Sequence, residues 1–307
     1  MRCQQRVIKL VRAILCLGVF ALLSATSLAA GRDGLTVYTV NYPLQYFAQR
    51  ITGEYADVVF PAPPDQDPAF WQPSASTIAD YQRADLILLN GAHYAKWVDR
   101  VALPRRKLVD TSAVFSDRYI RVEDAATHSH GPSGDHSHSG VAFTTWLDFD
   151  QAAAQAQAIA DAMMRVRPEQ GQVFSLNLAA LQADLDRLDQ AFAVVVAKHP
   201  QRYLLASHPV YQYFQRRFDI NLRSVMWEPD QVPDPARWSE LERILEHHPA
   251  RWMIWESRPD PETVARLHGL GVESIVVDPA GNRPQTGDFL SVMQQNLTNL
   301  QRVFAAD

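Results

Sequence analysis

Three ionisable residues stand directly behind apolar runs in the second half of this 307-residue chain: His208 behind YLLAS, Glu256 behind WMIW and Asp278 behind SIVV. An imidazole nitrogen and carboxylate oxygens are ligands that zinc and its first-row neighbours accept. Each residue alone fits an ordinary role, since a histidine at a strand end can bond within its loop and Asp278-Pro279 can start a turn. Their shared position behind successive strands gives the set its weight as a metal site. His93, in NGAHY behind a run of the first half, is a fourth candidate, although a surface histidine at a helix start has the same signature. Residues 127–140, THSHGPSGDHSHSG, hold four of the ten histidines: His128, His130, His136 and His138. Paired imidazoles on such a segment can take Zn²⁺, Cu²⁺ or Ni²⁺. The surrounding Ser, Gly, Pro and Asp form no core, so ordering the segment costs entropy and weakens its grip. His247 and His248 precede Pro249 and read as partners of a helix C-terminus rather than ligands. Both cysteines, Cys3 and Cys16, lie in the first thirty residues, which leaves any metal to His, Asp and Glu.

The elements that must position these groups alternate. Residues 35–40 (LTVYTV), 56–60 (ADVVF), 84–89 (ADLILL) and 107–110 read as strands, with helices at 43–52, 74–83 and 94–100 between them. Residues 150–166 and 170–198 are rich in Ala, Leu, Gln and Asp. They read as one medium and one long helix, interrupted near Pro168 and Gly171. Strands resume at 203–207, 222–226, 252–255 and 274–277, with helices starting near Val210, Pro235 and Pro261 and a last one over 289–304. The pattern predicts an α/β protein of two lobes, each a parallel sheet flanked by helices, joined by a long central helix. Ligands in such sheets bind beyond the carboxyl ends of the strands. That is where His208, Glu256, Asp278 and His93 fall.

The N-terminus carries Arg2, Arg6, Lys9 and Arg12, then the apolar run AILCLGVFALL and the small residues SATSLAA. This is the plan of a secretory signal cut after Ala29 or Ala30, and the run falls short of the ~20 residues a membrane span needs. The expected organisation is a signal peptide over 1–30, an N-terminal lobe over 31–149 including the His-rich loop, a helical linker over 150–200 and a C-terminal lobe over 201–307. Without the four basic residues of the signal, 29 basic and 34 acidic residues become 25 and 34, a formal −9. That charge argues against a nucleic-acid partner and suits a soluble exported monomer.

In order along the chain, TVNYPLQYFAQRITGE, PAFWQPSASTIADYQRADLILLNGAHYAKWVDR, the His-rich loop, TTWLD, a long central helix, ASHPVYQYFQRRF, WES and VVDP together resemble the zinc and manganese solute-binding proteins of metal ABC transporters. The likeness spans nearly all of the exported chain. It implies a periplasmic protein that binds zinc, rather than manganese, and hands it to an inner-membrane ABC permease without catalysis. It further implies His208 and Asp278 as two metal ligands. Two other positions depart from the family pattern: Ala69 follows Pro68 where a first histidine is expected, and Thr144 stands where a second is expected. His93, Glu256 or His138 could substitute. Two other functions remain open: a periplasmic metal buffer or chaperone working through residues 127–140, and a binding protein for a non-metal solute. A metallohydrolase would need a motif such as HExxH, and none is present.

Overall fold

The computed structural model describes residues 34–122, 127–129, 135–137 and 140–305. The expected signal peptide, His130 and His138 lie outside the described residues. Leu35–Asp307 forms one compact unit.

The alternation folds as two four-stranded parallel sheets of the same topology. In the first half, β1 (Leu35–Thr39), β2 (Ala56–Val59), β3 (Leu86–Leu89) and β4 (Leu108–Asp110) take the order β2-β1-β3-β4. Short antiparallel pairs follow along the chain: β5 (Arg121–Val122) with β8 (Gly140–Val141), and β6 (Thr127–Ser129) with β7 (Asp135–Ser137). In the second half, β9 (Leu204–Ala206), β10 (Leu222–Ser224), β11 (Trp252–Trp255) and β12 (Glu273–Val276) take the order β10-β9-β11-β12. In both four-stranded sheets the first strand is central, so the chain leaves it once to each side. A crevice must open at the carboxyl end of the strands where the winding reverses.

Helix boundaries follow local chemistry. α1 (Tyr42–Thr52) has Asn41 as its cap, whose side chain accepts from the Leu44 N–H. α2 (Ala75–Arg83) starts on Ser74 in the same way. α3 (Phe149–Val166) is capped by Asp148, and a 3₁₀ turn at Pro168–Gln170 separates it from α4 (Gly171–Val196). α5 (Gln212–Phe218), α6 (Pro235–His247), α7 (Pro261–Gly269) and α8 (Phe289–Val303) complete the second half. Pro235 and Pro261 occupy first-turn positions, where a missing N–H costs nothing. The helix expected over 94–100 is instead a 3₁₀ turn, Lys96–Arg100. Gly91, Ala92 and His93 all have positive φ just before it, and Ala95 offers no side-chain cap, so an α-helix has no start there.

α4 joins the halves by packing on both. Asn177 donates to the Ile51 carbonyl and Arg50 pairs with Asp184 at 2.6 Å, tying α4 to α1. Farther along, Phe192 meets Phe149 of α3 and Phe214 and Phe218 of α5, with centroids 5.4, 5.4 and 5.8 Å apart. Arg217 of α5 forks onto Asp189 of α4 at 2.7 and 2.6 Å, a bidentate pair that sets the register of the two helices. The second sheet is covered on both faces. Leu204, Ala206 and Ile254 face the main core, whereas Leu205, Met253 and Trp255 face a smaller cluster with Trp227, Trp238 and Leu241.

His248 closes the α6 end by burial. Its Nε2 donates to the Leu204 carbonyl at 2.8 Å, and its ring stands edge-on to Tyr203 at 4.8 Å. Burial lowers its pKa below the ordinary histidine value of 6.5. The unfolded chain therefore binds this proton more readily than the fold does. The stability tied to His248 is complete above pH 6.5 and declines as pH falls from there toward the lowered value. His248→Gln is expected to flatten the loss of denaturant stability as pH falls below 6.5, read from urea midpoints on either side of that value.

Candidate metal centre

The residues behind the four strands of the second sheet gather at one edge, where Glu228, Glu256 and Asp278 line a cleft and His208 is buried against the two glutamates. His208 comes two residues after β9. The chain is locked there by Ser207 N–H to the Ile254 carbonyl (2.9 Å) and Trp227 N–H to the Ser207 carbonyl (2.8 Å). Glu256 follows β11 directly, and Asp278 comes two residues after β12. The fourth is Glu228, in the loop after β10.

Among the described residues, His208, Glu228 and Glu256 form a metal-type cluster, with one donor atom from each lying within 4.8 Å of the others. His208 Nδ1 is 3.7 Å from Glu228 Oε1 and 3.9 Å from Glu256 Oε1. Bonds of 2.0–2.2 Å at tetrahedral angles place donor atoms about 3.3–3.6 Å apart, so the two His208–glutamate separations are within a few tenths of an ångström of what one shared ion needs. The His208 side chain is 2% exposed, Glu228 9% and Glu256 24%, so an ion here would be screened from water on the protein side.

Asp278 lines the same cleft but stands outside this cluster. Its Oδ1 accepts the Ala280 N–H at 2.7 Å, and its backbone is clamped both ways by the buried Asn296. Burial raises its carboxyl pKa, with the Ala280 bond opposing. A cation in the cleft would relieve that cost. The Tyr211 hydroxyl beneath donates to the Val277 carbonyl at 2.7 Å. Burial, helped by Glu256 and Asp278, lifts its pKa well above 10, so it stays protonated.

Glu228 is the residue that strand-end reasoning misses, because it lies four positions beyond β10 rather than next to it. One signal is present in the sequence: the dipeptide Trp-Glu occurs twice, at 227–228 and 255–256. Trp227 and Trp255 pack in the same cluster with centroids 6.3 Å apart, and that contact carries the two glutamates side by side.

His93 is not brought to this cleft. The left-handed run Gly91, Ala92, His93 buries Ala92 and turns the His93 side chain, 78% exposed, toward a separate pocket near Asp99. Gly91 is required there, since a Cβ would sit 2.3 Å from Asp110 Oδ1. His128 and His136 oppose each other in the β6–β7 ribbon. Ala69 is buried in the main core. Thr144 lines the cleft, but its hydroxyl donates to the Val210 carbonyl at 2.5 Å.

The cleft holds about 360 Å³ and is lined by Asp65, Asp67, Glu228, Glu256 and Asp278, with no lysine or arginine among its lining residues. Its field favours cations. Two like-wound α/β sheets braced by a long helix thus place an acidic cleft at the carboxyl ends of their strands. The chain belongs to the family described as zinc-uptake complex component A, periplasmic, whose model matches residues 37–303. It is 25% identical over 309 residues to the zinc-binding lipoprotein AdcA of Streptococcus pneumoniae, covering 96% of this chain and 60% of that protein's length. It is 22% identical over 282 residues to the high-affinity zinc uptake system protein ZnuA of Bacillus subtilis, covering 88% and 87%. Among solved structures, the Zn(II)-bound ZnuA-like domain of S. pneumoniae AdcA shares the fold with a TM-score of 0.75 at 20% identity, over 89% of this chain and all of that one.

Proposed function

We propose that this chain is the periplasmic solute-binding component of an ABC uptake transporter for a divalent transition metal, zinc first, which it hands to an inner-membrane permease without turnover. The observation that carries this reading is the cluster of His208, Glu228 and Glu256 at the carboxyl ends of adjacent strands. One imidazole and two carboxylates suit zinc, and at a site of mixed N and O donors zinc outbinds manganese at equal concentration. The export signature and the family's periplasmic description support the compartment.

The test is calorimetric titration of zinc and manganese into metal-stripped protein with and without residues 127–140. One-to-one zinc binding that survives the deletion, and displaces manganese, is the expected result. Binding that disappears with residues 127–140 would favour a metal buffer working through that segment, where His128 stands opposite His136.

A further inference from the structure

β12 is the last strand of the second sheet, with β11 on one side and no strand on the other. The N–H groups of Glu273 and Val277 bond to the Arg251 and Trp255 carbonyls at 2.9 and 2.8 Å. Alternation along a strand then turns the N–H and C=O of Ser274 and Val276 the other way, to the free edge. One of these four groups is taken, since the Val276 carbonyl accepts from Asn299 Nδ2 of α8 at 2.8 Å. Among the described residues, no backbone group outside the sheet pairs with Ser274 N–H, Ser274 C=O or Val276 N–H. Such a row is a template for an incoming extended chain.

Helices on the two faces set this edge in a groove. α7 covers one face, with Leu267 in the smaller cluster, and α8 the other, with Leu297 and Leu300 in the main core. Between them lies a cavity of about 380 Å³. It is lined by Val264 of α7, residues 274–276 of the strand and Arg302 of α8, with Arg258 from the loop between β11 and α7. No aspartate or glutamate lines it. Among the described residues neither guanidinium sits in an ion pair, in contrast to Arg50 and Arg217. The groove is thus a positive site on a chain of formal net charge −5.

Charge alone would suffice to shield an edge strand from wrong pairing. Here two unpaired guanidiniums, an apolar lining and open backbone groups stand together, which is what an extended peptide with carboxylate side chains requires. A second copy of the chain is a poorer occupant, because two-fold pairing along β12 would set the arginines of both copies on one shared edge.

We propose that the groove along β12 is a docking site for an extended acidic segment of a partner protein, which adds as a strand beside Ser274–Val276 with its carboxylates on Arg258 and Arg302. This surface is separate from the metal cluster and stands whether or not the cleft takes zinc. The same helix serves both places, since Asn299 of α8 holds Val276 and Asn296 clamps the backbone of Asp278. A docked segment would therefore rest on the strand and helix that fix a cleft carboxylate.

The test titrates the acetylated, amidated peptide Thr-Glu-Val-Asp-Val into the full chain and follows backbone amide shifts by NMR. Two control peptides replace the acids by lysine or N-methylate the central valine. Saturable shifts centred on Ser274 and Val276 are expected, with a dissociation constant on the order of 0.1–1 mM. The lysine and N-methyl peptides should each bind at least tenfold more weakly, as should the acidic peptide to the double variant Arg258→Glu, Arg302→Glu. That variant should bind zinc within about threefold of wild type, which shows that it is folded. Acidic-peptide binding that is unchanged in the double variant, or shifts that map elsewhere, would overturn the proposal. Equal binding of the N-methyl peptide, or full displacement by inorganic phosphate at equal concentration, would also overturn it and leave a simple anion site. Concentration-dependent dimerisation through this edge, read by sedimentation and abolished in the double variant, would assign the groove to a second copy instead.

Discussion

Glu228→Gln is expected to weaken zinc binding by about 100-fold, ~2.7 kcal/mol, as much as His208→Ala does. The substitution keeps the shape of the side chain and exchanges an anionic donor for a neutral amide oxygen. Glu228 is almost fully buried beside His208, so water cannot take over its role cheaply. Asp278→Asn should cost less, about tenfold or under, because that carboxylate acts on the ion through its charge from outside the cluster. Competition against a zinc-sensitive dye at pH 7.5 gives the three affinities on one scale. A normal affinity for Glu228→Gln with a collapsed one for Asp278→Asn would reverse the assignment of ligand and neighbour.

Phe192→Ala is expected to carry the largest cost in stability, about 3–5 kcal/mol. The ring is 1% exposed and touches aromatic rings of α3 and α5, so truncation leaves a cavity where three helices meet. At roughly 2–4 °C per kcal/mol for a domain of this size, the melting temperature should fall on the order of 10 °C. The cluster lies away from the cleft lining. Zinc stoichiometry in the cold should therefore be unchanged, which separates loss of folding from loss of site. Calorimetric melting of the metal-stripped variant gives the comparison. A fall of under 3 °C would mean that the bundle collapses to fill the hole.

Most of the architecture is legible in the sequence because local and global signals agree in this chain. The strands are short β-rich apolar runs, and Pro235, Pro261 and Pro168 mark two helix starts and one break at the positions their missing N–H permits. The turn at Lys96–Arg100 reads as α-helix because its composition is helical. The left-handed backbone at Ala92 and His93 that rules out a helix start is set by packing of Ala92 and by close approach at Gly91.

Strand-end logic finds His208, Glu256 and Asp278 and places them at one edge of the sheet, since adjacent parallel strands must deliver their next residues to the same side. It also draws in His93, whose strand belongs to the other sheet. Only backbone geometry decides that His93 turns away. Glu228 escapes because loop length after β10 is not written in periodicity. It is carried home by Trp227 packing near Trp255, a contact between residues 28 apart in sequence that no local pattern records.

The most direct measurement is zinc-edge X-ray absorption on the one-to-one zinc complex of the full chain. One imidazole with a remaining shell of oxygens is the result expected from His208, Glu228 and Glu256. A shell of two or more imidazoles from the protein, lost when residues 127–140 are removed, would contradict this site and move the metal to the His-rich segment.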